Sequence, residues 1–238
     1  MKVSNNVWRT LRCADEEAAA TLCAQLIARE LTATIDSKAS ATLFVSGGKS
    51  PAKVFDQLCQ IPLPWSSVDV FLVDERLAWQ QPQDQNQTLI QHHLLQSCAK
   101  EAAFFPLLHD ENETENLAIC NQQAQFPVRP DVVLLGMGLD GHTASLFPCA
   151  PEYDNAMTAG SHYVVLHPVT APYARISMSF HWLTEAHQLV LYIPGDEKRV
   201  AFEAFVEHGN GVSPLQPLLN AVAQHMTVIE TEGGRHDA

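Results

Sequence analysis

Short apolar runs of strand type alternate with helical patterns along most of the chain, and that alternation constrains the fold more than any other feature. Ala41–Val45, Val132–Leu135 and Gln188–Ile193 are nearly continuous apolar runs, as expected of strands covered on both faces. Between such runs lie helical stretches. Asp15 to Leu31 is rich in Ala and Leu with charges interspersed, Ser50-Pro51 pairs a preferred cap with a residue suited to a first helical position, and Asn86–Gln96, Glu113–Gln123 and Glu197–Glu207 read as further helices. Val68–Val73, Tyr163–Leu166 and Arg175–Phe180 add strands, Val212–Ala221 a turn and short helix, and Met226–Glu230 a last edge strand. The expected architecture is α/β: one domain over residues 1–238, with a mostly parallel, doubly wound (Rossmann-like) sheet and helices on both faces. An apolar fraction of 46% in 238 residues supports a core of that size. The stretch Trp79 to Gln87, rich in Gln and Asp, is the most irregular and is expected to cover a site.

The net charge of −13 argues against nucleic acid or an anionic membrane as partner. An anionic substrate would need a local basic site, so the few Lys and Arg that lie beside glycine-rich loops stand out. The six cysteines are scattered without a C-x-x-C pair, the first residues lack an apolar run, and no segment approaches membrane-spanning length. The expectation is a cytoplasmic protein with reduced, mostly buried thiols, present as a monomer or weak homo-oligomer. No metal or cofactor is expected. His92 and His93 are adjacent and cannot share a helix face, His162 and His167 are five apart, and there is no H-E-x-x-H. Nor is there a G-x-S-x-G nucleophile elbow.

Asp131-Val-Val-Leu-Leu-Gly-Met-Gly-Leu-Asp-Gly-His-Thr-Ala-Ser-Leu-Phe-Pro148 carries the clearest chemistry. A strand ends in three glycines, an aspartate and a histidine. In an open α/β sheet that edge binds ligands, so Asp140 and His142 are expected in a cleft, where a histidine suits general acid–base work. Gly136 to Gly141 is a literal G-x-G-x-x-G. A dinucleotide site would need a full helix next, and Pro148 allows only a very short one.

Ser46-Gly-Gly-Lys-Ser-Pro51 joins the first of these strands to a helix. Gly47 and Gly48 can bring backbone N–H groups to an anion, with Lys49 and the helix start beside them. Read alone, the stretch fits a small phosphate ester or a tight turn with a surface lysine equally well. Asp74-Glu-Arg76 follows the next strand and fits either a phosphate clamp or an ion-pair cluster. Asn86 sits at a helix start, where a capping role is also open. Arg175 heads an apolar strand. Lys198 lies in the first turn of a helix, where a cation is unfavourable and hints at a ligand anion.

Together these stretches, in this order and over roughly residues 40 to 200, resemble the 6-phosphogluconolactonases. The resemblance implies hydrolysis of 6-phospho-D-glucono-1,5-lactone to 6-phosphogluconate, in the pentose phosphate pathway. It implies His142 as general base, Asp140 orienting it or its loop, Arg76 and Lys198 on the 6-phosphate, and Gly47 and Gly48 amides helping. Asp74, Asn86 and Lys49 would line the substrate site, and Arg175 would serve the phosphate or the developing oxyanion. Lys49 and Ala78-Trp79 depart from the usual pattern, in loop residues only. The related glucosamine-6-phosphate deaminases are the nearer alternative. Their pattern places a catalytic glutamate where Phe147 stands and an aromatic residue where Arg76 stands. A non-catalytic sugar-phosphate sensor is the alternative of another class.

Overall fold

The computed structural model describes residues 8–125, 129–208 and 213–232. Its elements run β1 (Arg9–Cys13), α1 (Glu16–Lys38), β2 (Ala41–Val45), α2 (Lys49–Leu58), β3 (Val68–Leu72), β4 (Asp74–Arg76), α3 (Asn86–His93), β5 (Ala103–Phe105), α4 (Glu113–Gln123), β6 (Val132–Leu135), α5 (Tyr153–Thr158), β7 (Tyr163–Leu166), β8 (Arg175–Met178), α6 (Phe180–Thr184), β9 (Gln188–Ile193), α7 (Asp196–His208), α8 (Leu215–Val222) and β10 (Met226–Thr231). Seven strands form a parallel sheet in the order β1-β10-β9-β6-β2-β3-β5. Every residue of β2, β6 and β10 is buried, which requires cover on both faces. This is the expected mostly parallel α/β sheet.

Aromatic residues knit one half of it. Phe44, Phe71 and Phe105 occupy matched positions on β2, β3 and β5 and stack at 4.7 and 4.4 Å, and Trp182 of α6 meets Phe44 edge-on at 5.0 Å. Such ring pairs add about 0.5–1.5 kcal/mol each beyond area burial.

Several expectations need correction. The strands at 163–166 and 175–178 do not join the parallel sheet. They pair antiparallel in a separate sheet ordered β4-β8-β7. Their connection is too short for the crossover of about a dozen residues that parallel neighbours need. Asp74–Arg76, expected only as a charged stretch following a strand, is the third strand of this small sheet. The chain leaves the parallel sheet at Val73 and re-pairs at once, with Val73 bonded to both Val45 and Met178. The strand from Arg175 stops at Met178, because Ser179 caps α6 by accepting from the Trp182 N–H. The C-terminal strand β10 is internal, covered by the charged β1; Arg12 pairs with Glu230 at 2.6 Å across that step. A short charged outer strand blunts a sheet edge. Helix α1 runs seven residues past Leu31, since Thr34 and Ile35 pack inward and override their modest propensity. Val212 lies outside the described residues; α8 begins at Leu215. Four of the six cysteines are buried and all are free, with Cys98 and Cys149 exposed.

Candidate active site

The topology fixes where a site can form. From β2 the chain adds β3 and β5 on one side, then crosses back to place β6 on the other. The order therefore reverses between β2 and β6, and in such sheets ligands bind beyond the strand ends at that point. The loops that follow these two strands are Ser46–Gly48 and Gly136–Phe147. They line a cleft of about 400 Å³, closed on the far side by β4, β8 and the first turn of α7. All ten residues singled out from the sequence line it, a convergence no single motif required.

The Gly136–Phe147 loop presents the reacting pair. No helix follows Gly141, which removes the dinucleotide reading. The loop instead folds on itself: Gly138 N–H donates to the His142 carbonyl, Gly141 N–H to the Gly138 carbonyl, and the Thr143 hydroxyl to the Gly136 carbonyl. A Cβ on Gly138 would lie 2.3 Å from the His142 ring and 2.4 Å from Asp140 Oδ1, so only glycine fits. Gly141 has φ +80° and packs its bare Cα against Phe205 of α7. His142 Nδ1 lies 2.5 Å from Asp140 Oδ1. The hydrogen bond to His142 holds the Asp140 carboxyl below the ordinary carboxylate range, against the opposing effect of burial. An ionised carboxylate only accepts, so in the neutral imidazole Nδ1 carries the hydrogen and Nε2 keeps its lone pair. The ring stacks on Phe147 at 4.0 Å.

The small sheet supplies cations. Arg76 and Arg175 face one another in the β4–β8 register. Like charges directly opposite destabilise a sheet, so this pairing calls for an anion between or beside them. Arg175 is buried, donates to the Tyr173 carbonyl at 3.3 Å and lies over Phe147 with its guanidinium 5.9 Å from the ring centre. Burial lowers its pKa, although a guanidinium stays charged. Arg76 donates to the Asp84 carbonyl at 2.7 Å. The irregular stretch around Asp84 thus braces a cleft cation rather than covering the site. Asp74 is buried and accepts from the Ser145 hydroxyl at 2.6 Å, tying β4 to the histidine loop.

The third wall is the Ser46–Gly48 turn and α2. Ser50 is not the cap: the helix starts at Lys49, after Gly48 with φ 110°, and no side chain among the described residues caps its first turn. Uncapped N–H groups facing a cleft are an anion site. Lys49 is exposed at the rim. Ser50 instead accepts from Lys198 Nζ at 3.3 Å, and burial depresses the pKa of that ammonium. Asn86 is the first residue of α3 and not its cap. Its Nδ2 donates to the Asp74 carbonyl at 2.8 Å. Its side chain lies where a Cβ on Gly47 would have to be, at 1.9 Å. Its Oδ1 is buried without a hydrogen-bond partner among the described residues, as is the Ser46 hydroxyl.

Sequence reasoning missed Ser46, Ser145 and the Thr170–Ala171 stretch as cleft residues. Ser46 and Ser145 lay within quoted motifs, and their position there was the available signal. Thr170 and Ala171 come from the β7–β8 connection, where no local pattern marks them.

The family model described as glucosamine-6-phosphate isomerases/6-phosphogluconolactonase matches residues 14–228. The chain is 36% identical over 219 residues to the 6-phosphogluconolactonase of Neisseria meningitidis serogroup B, spanning 90% of this chain and 94% of that protein. It is 35% identical over 218 residues to that of Mesorhizobium japonicum, spanning 90% and 91%. The crystal structure of a 6-phosphogluconolactonase from Shewanella baltica matches with a TM-score of 0.86 and 30% identity, over 98% of this chain and 100% of that one. A monomeric glucosamine-6-phosphate deaminase, 17% identical with a TM-score of 0.76, shares the fold.

Proposed function

The chain belongs to the glucosamine-6-phosphate isomerase/6-phosphogluconolactonase family and is an enzyme of its lactonase kind; from that premise and the cleft we propose that it hydrolyses 6-phospho-D-glucono-1,5-lactone to 6-phosphogluconate with His142 as base. The observation that carries the reading is the Asp140–His142 pair at 2.5 Å in a cleft that also holds three buried or half-buried cations.

Asp140 fixes the tautomer, so Nε2 takes a proton from water as the oxygen attacks the lactone carbonyl. Phe147 behind the ring limits its swing. The tetrahedral intermediate then collapses with cleavage of the bond to the ring oxygen. The imidazolium returns its proton to that oxygen, which leaves as the hydroxyl of the product. Arg76 and Lys198 hold the 6-phosphate, aided by the Gly47 and Gly48 amides and the uncapped start of α2. Arg175, beside Arg76 in register, adds its charge, and Lys49 stands at the entrance. Asp74 and Asn86 orient the loops and offer oxygens to sugar hydroxyls. The reaction as written calls on no metal or cofactor. Phe147 stands where the deaminase pattern has its glutamate, which leaves that chemistry without its carboxylate.

The test is turnover of freshly generated lactone, coupled to 6-phosphogluconate dehydrogenase, for wild type and His142→Ala with the spontaneous rate subtracted. Turnover lost in the variant supports the activity and the base together. A wild-type rate no higher than background sinks the reading, and directs attention to deaminase activity and then to sugar-phosphate binding without turnover.

A further inference from the structure

Glu75 sits between two cleft residues and takes no part in the chemistry described above. Its side chain is fully buried and makes no ion pair among the described residues. Its carboxylate instead accepts three backbone N–H groups: Arg76 at 2.7 Å and Asn86 at 2.6 Å on one oxygen, Gln87 at 2.6 Å on the other. Asn86 and Gln87 are the first two residues of α3. Gln85, the residue in the capping position, makes no capping bond. The helix therefore takes its cap from a strand eleven residues upstream, and takes it as a buried carboxylate. An ordinary Ser or Asp in place of Gln85 would satisfy the Gln87 N–H or the next one locally, but not that of Asn86. What the distant cap adds is a fixed link between β4 and α3.

Both ends of that link reach the cleft. Side chains alternate along a strand, so Glu75 points toward α3 while Asp74 and Arg76 point to the cleft. At the other end Asn86 seats against Gly47 and bonds the Asp74 carbonyl, and the preceding Asp84 carbonyl receives the Arg76 guanidinium. We propose that Glu75 is a positioning residue: its carboxylate pins the first turn of α3 to β4 and thereby sets Arg76 and Asn86 for the substrate. The inference rests on the lactonase reading of the cleft.

Burial pushes the Glu75 carboxyl up to about 7, against the three N–H groups that favour its ionised form. The charged groups around it are Asp74 and Arg76 on its own strand and Arg175 on β8; α3 turns the N–H groups of Asn86 and Gln87 to it and carries its titratable residues, His92 and His93, in its last turn. The pin should thus be strongest above neutral pH and slacken below it.

The experiment compares wild type with Glu75→Gln, which keeps the shape but turns one acceptor into a donor facing the Gln87 N–H. The expected result is a KM raised about tenfold, the low end of what one charge-assisted hydrogen bond to substrate is worth, with kcat within about twofold. Wild-type KM should rise as pH falls from about 8 to 6, and more steeply than that of the Gln variant. The substrate phosphate also titrates near pH 6, but equally for both proteins. A KM and pH profile unchanged by Glu75→Gln would overturn the proposal. So would a fall in kcat alone, because a lost active fraction lowers kcat and leaves KM untouched. Should the variant not fold, amide exchange in the wild type decides: protection of Asn86 and Gln87, corrected for intrinsic rates, should drop below pH 7, and constant protection would count against the pin. Absence of wild-type hydrolysis would refute the lactonase reading, while the exchange measurement would still test the link.

Discussion

The two loops that meet at the cleft are built on opposite principles. The Gly136–Phe147 turn keeps its acid–histidine pair accessible, with Asp140 side chain 50% and His142 27% exposed. Its shape comes from backbone hydrogen bonds and from glycines that leave room for the ring. The Asp74–Asn86 region does the reverse: its organising carboxylate, Glu75, is 0% exposed and never meets solvent. A group that must exchange protons with water needs access and a neighbour that sets its tautomer. A group that only holds others in place gains from burial, where each hydrogen bond is stronger. If the comparison is right, damage to the first loop falls on kcat and damage to the second on KM.

His142→Ala should have the largest effect, a loss of about 10²- to 10⁴-fold in kcat with little change in KM. Steady-state turnover after subtraction of the spontaneous rate measures it. The two glycines sharpen the contrast. Gly138→Ala drives a methyl into the His142 ring, and a displacement of about 1 Å in a catalytic group can cost about 10²-fold, so kcat should fall by up to that amount. Gly47→Ala pushes against Asn86 instead and should act on KM first. Equal effects on kcat from both glycine variants would dissolve the distinction between the loops. Next comes Arg76→Ala, expected to raise KM about tenfold to a hundredfold with kcat largely kept, as the loss of one charge-assisted contact to the phosphate. A drop confined to kcat would move Arg76 from phosphate binding to the reacting end.

How far the sequence reached differs between these regions for physical reasons. The parallel sheet was legible because strands buried on both faces must be apolar throughout, as Ala41–Val45 and Val132–Leu135 are. The cleft residues were legible because each lies at the end of a strand or opens a helix, next to a glycine or as a charge that burial would not tolerate. The small antiparallel sheet was hidden. β4 is only three residues, all of them charged, and its pairing with β8 depends on contacts a hundred residues apart. β1 was hidden in the same way, because an edge strand carrying Arg9 and Arg12 looks like a loop. The role of Glu75 was out of reach, since a carboxylate beside Asp74 and Arg76 reads as one more surface charge until α3 is seen to lie over it.

The smallest expected effect concerns stability and separates the two carboxylates by sign. Asp140 is depressed by its bond to His142, so its contribution is present above the ordinary aspartate pKa and is lost as pH falls through the lower folded value. Glu75 is raised to about 7 by burial. Between its unfolded value of about 4.3 and that folded value, the native state binds the extra proton. Stability contributed by Glu75 therefore declines as pH rises through this window and stays lower above it. Glu75→Gln cannot titrate, so its melting temperature should change less between about pH 5 and 7.5 than that of wild type. Asp140→Asn should leave that window unaltered and affect only the acid limb. Melting curves across both ranges check this, and parallel wild-type and Glu75→Gln profiles would mean that Glu75 titrates alike in the folded and unfolded states and stays ionised across the window. The pin would then be a carboxylate throughout that window, and a KM that falls between about pH 6 and 8 would need another source.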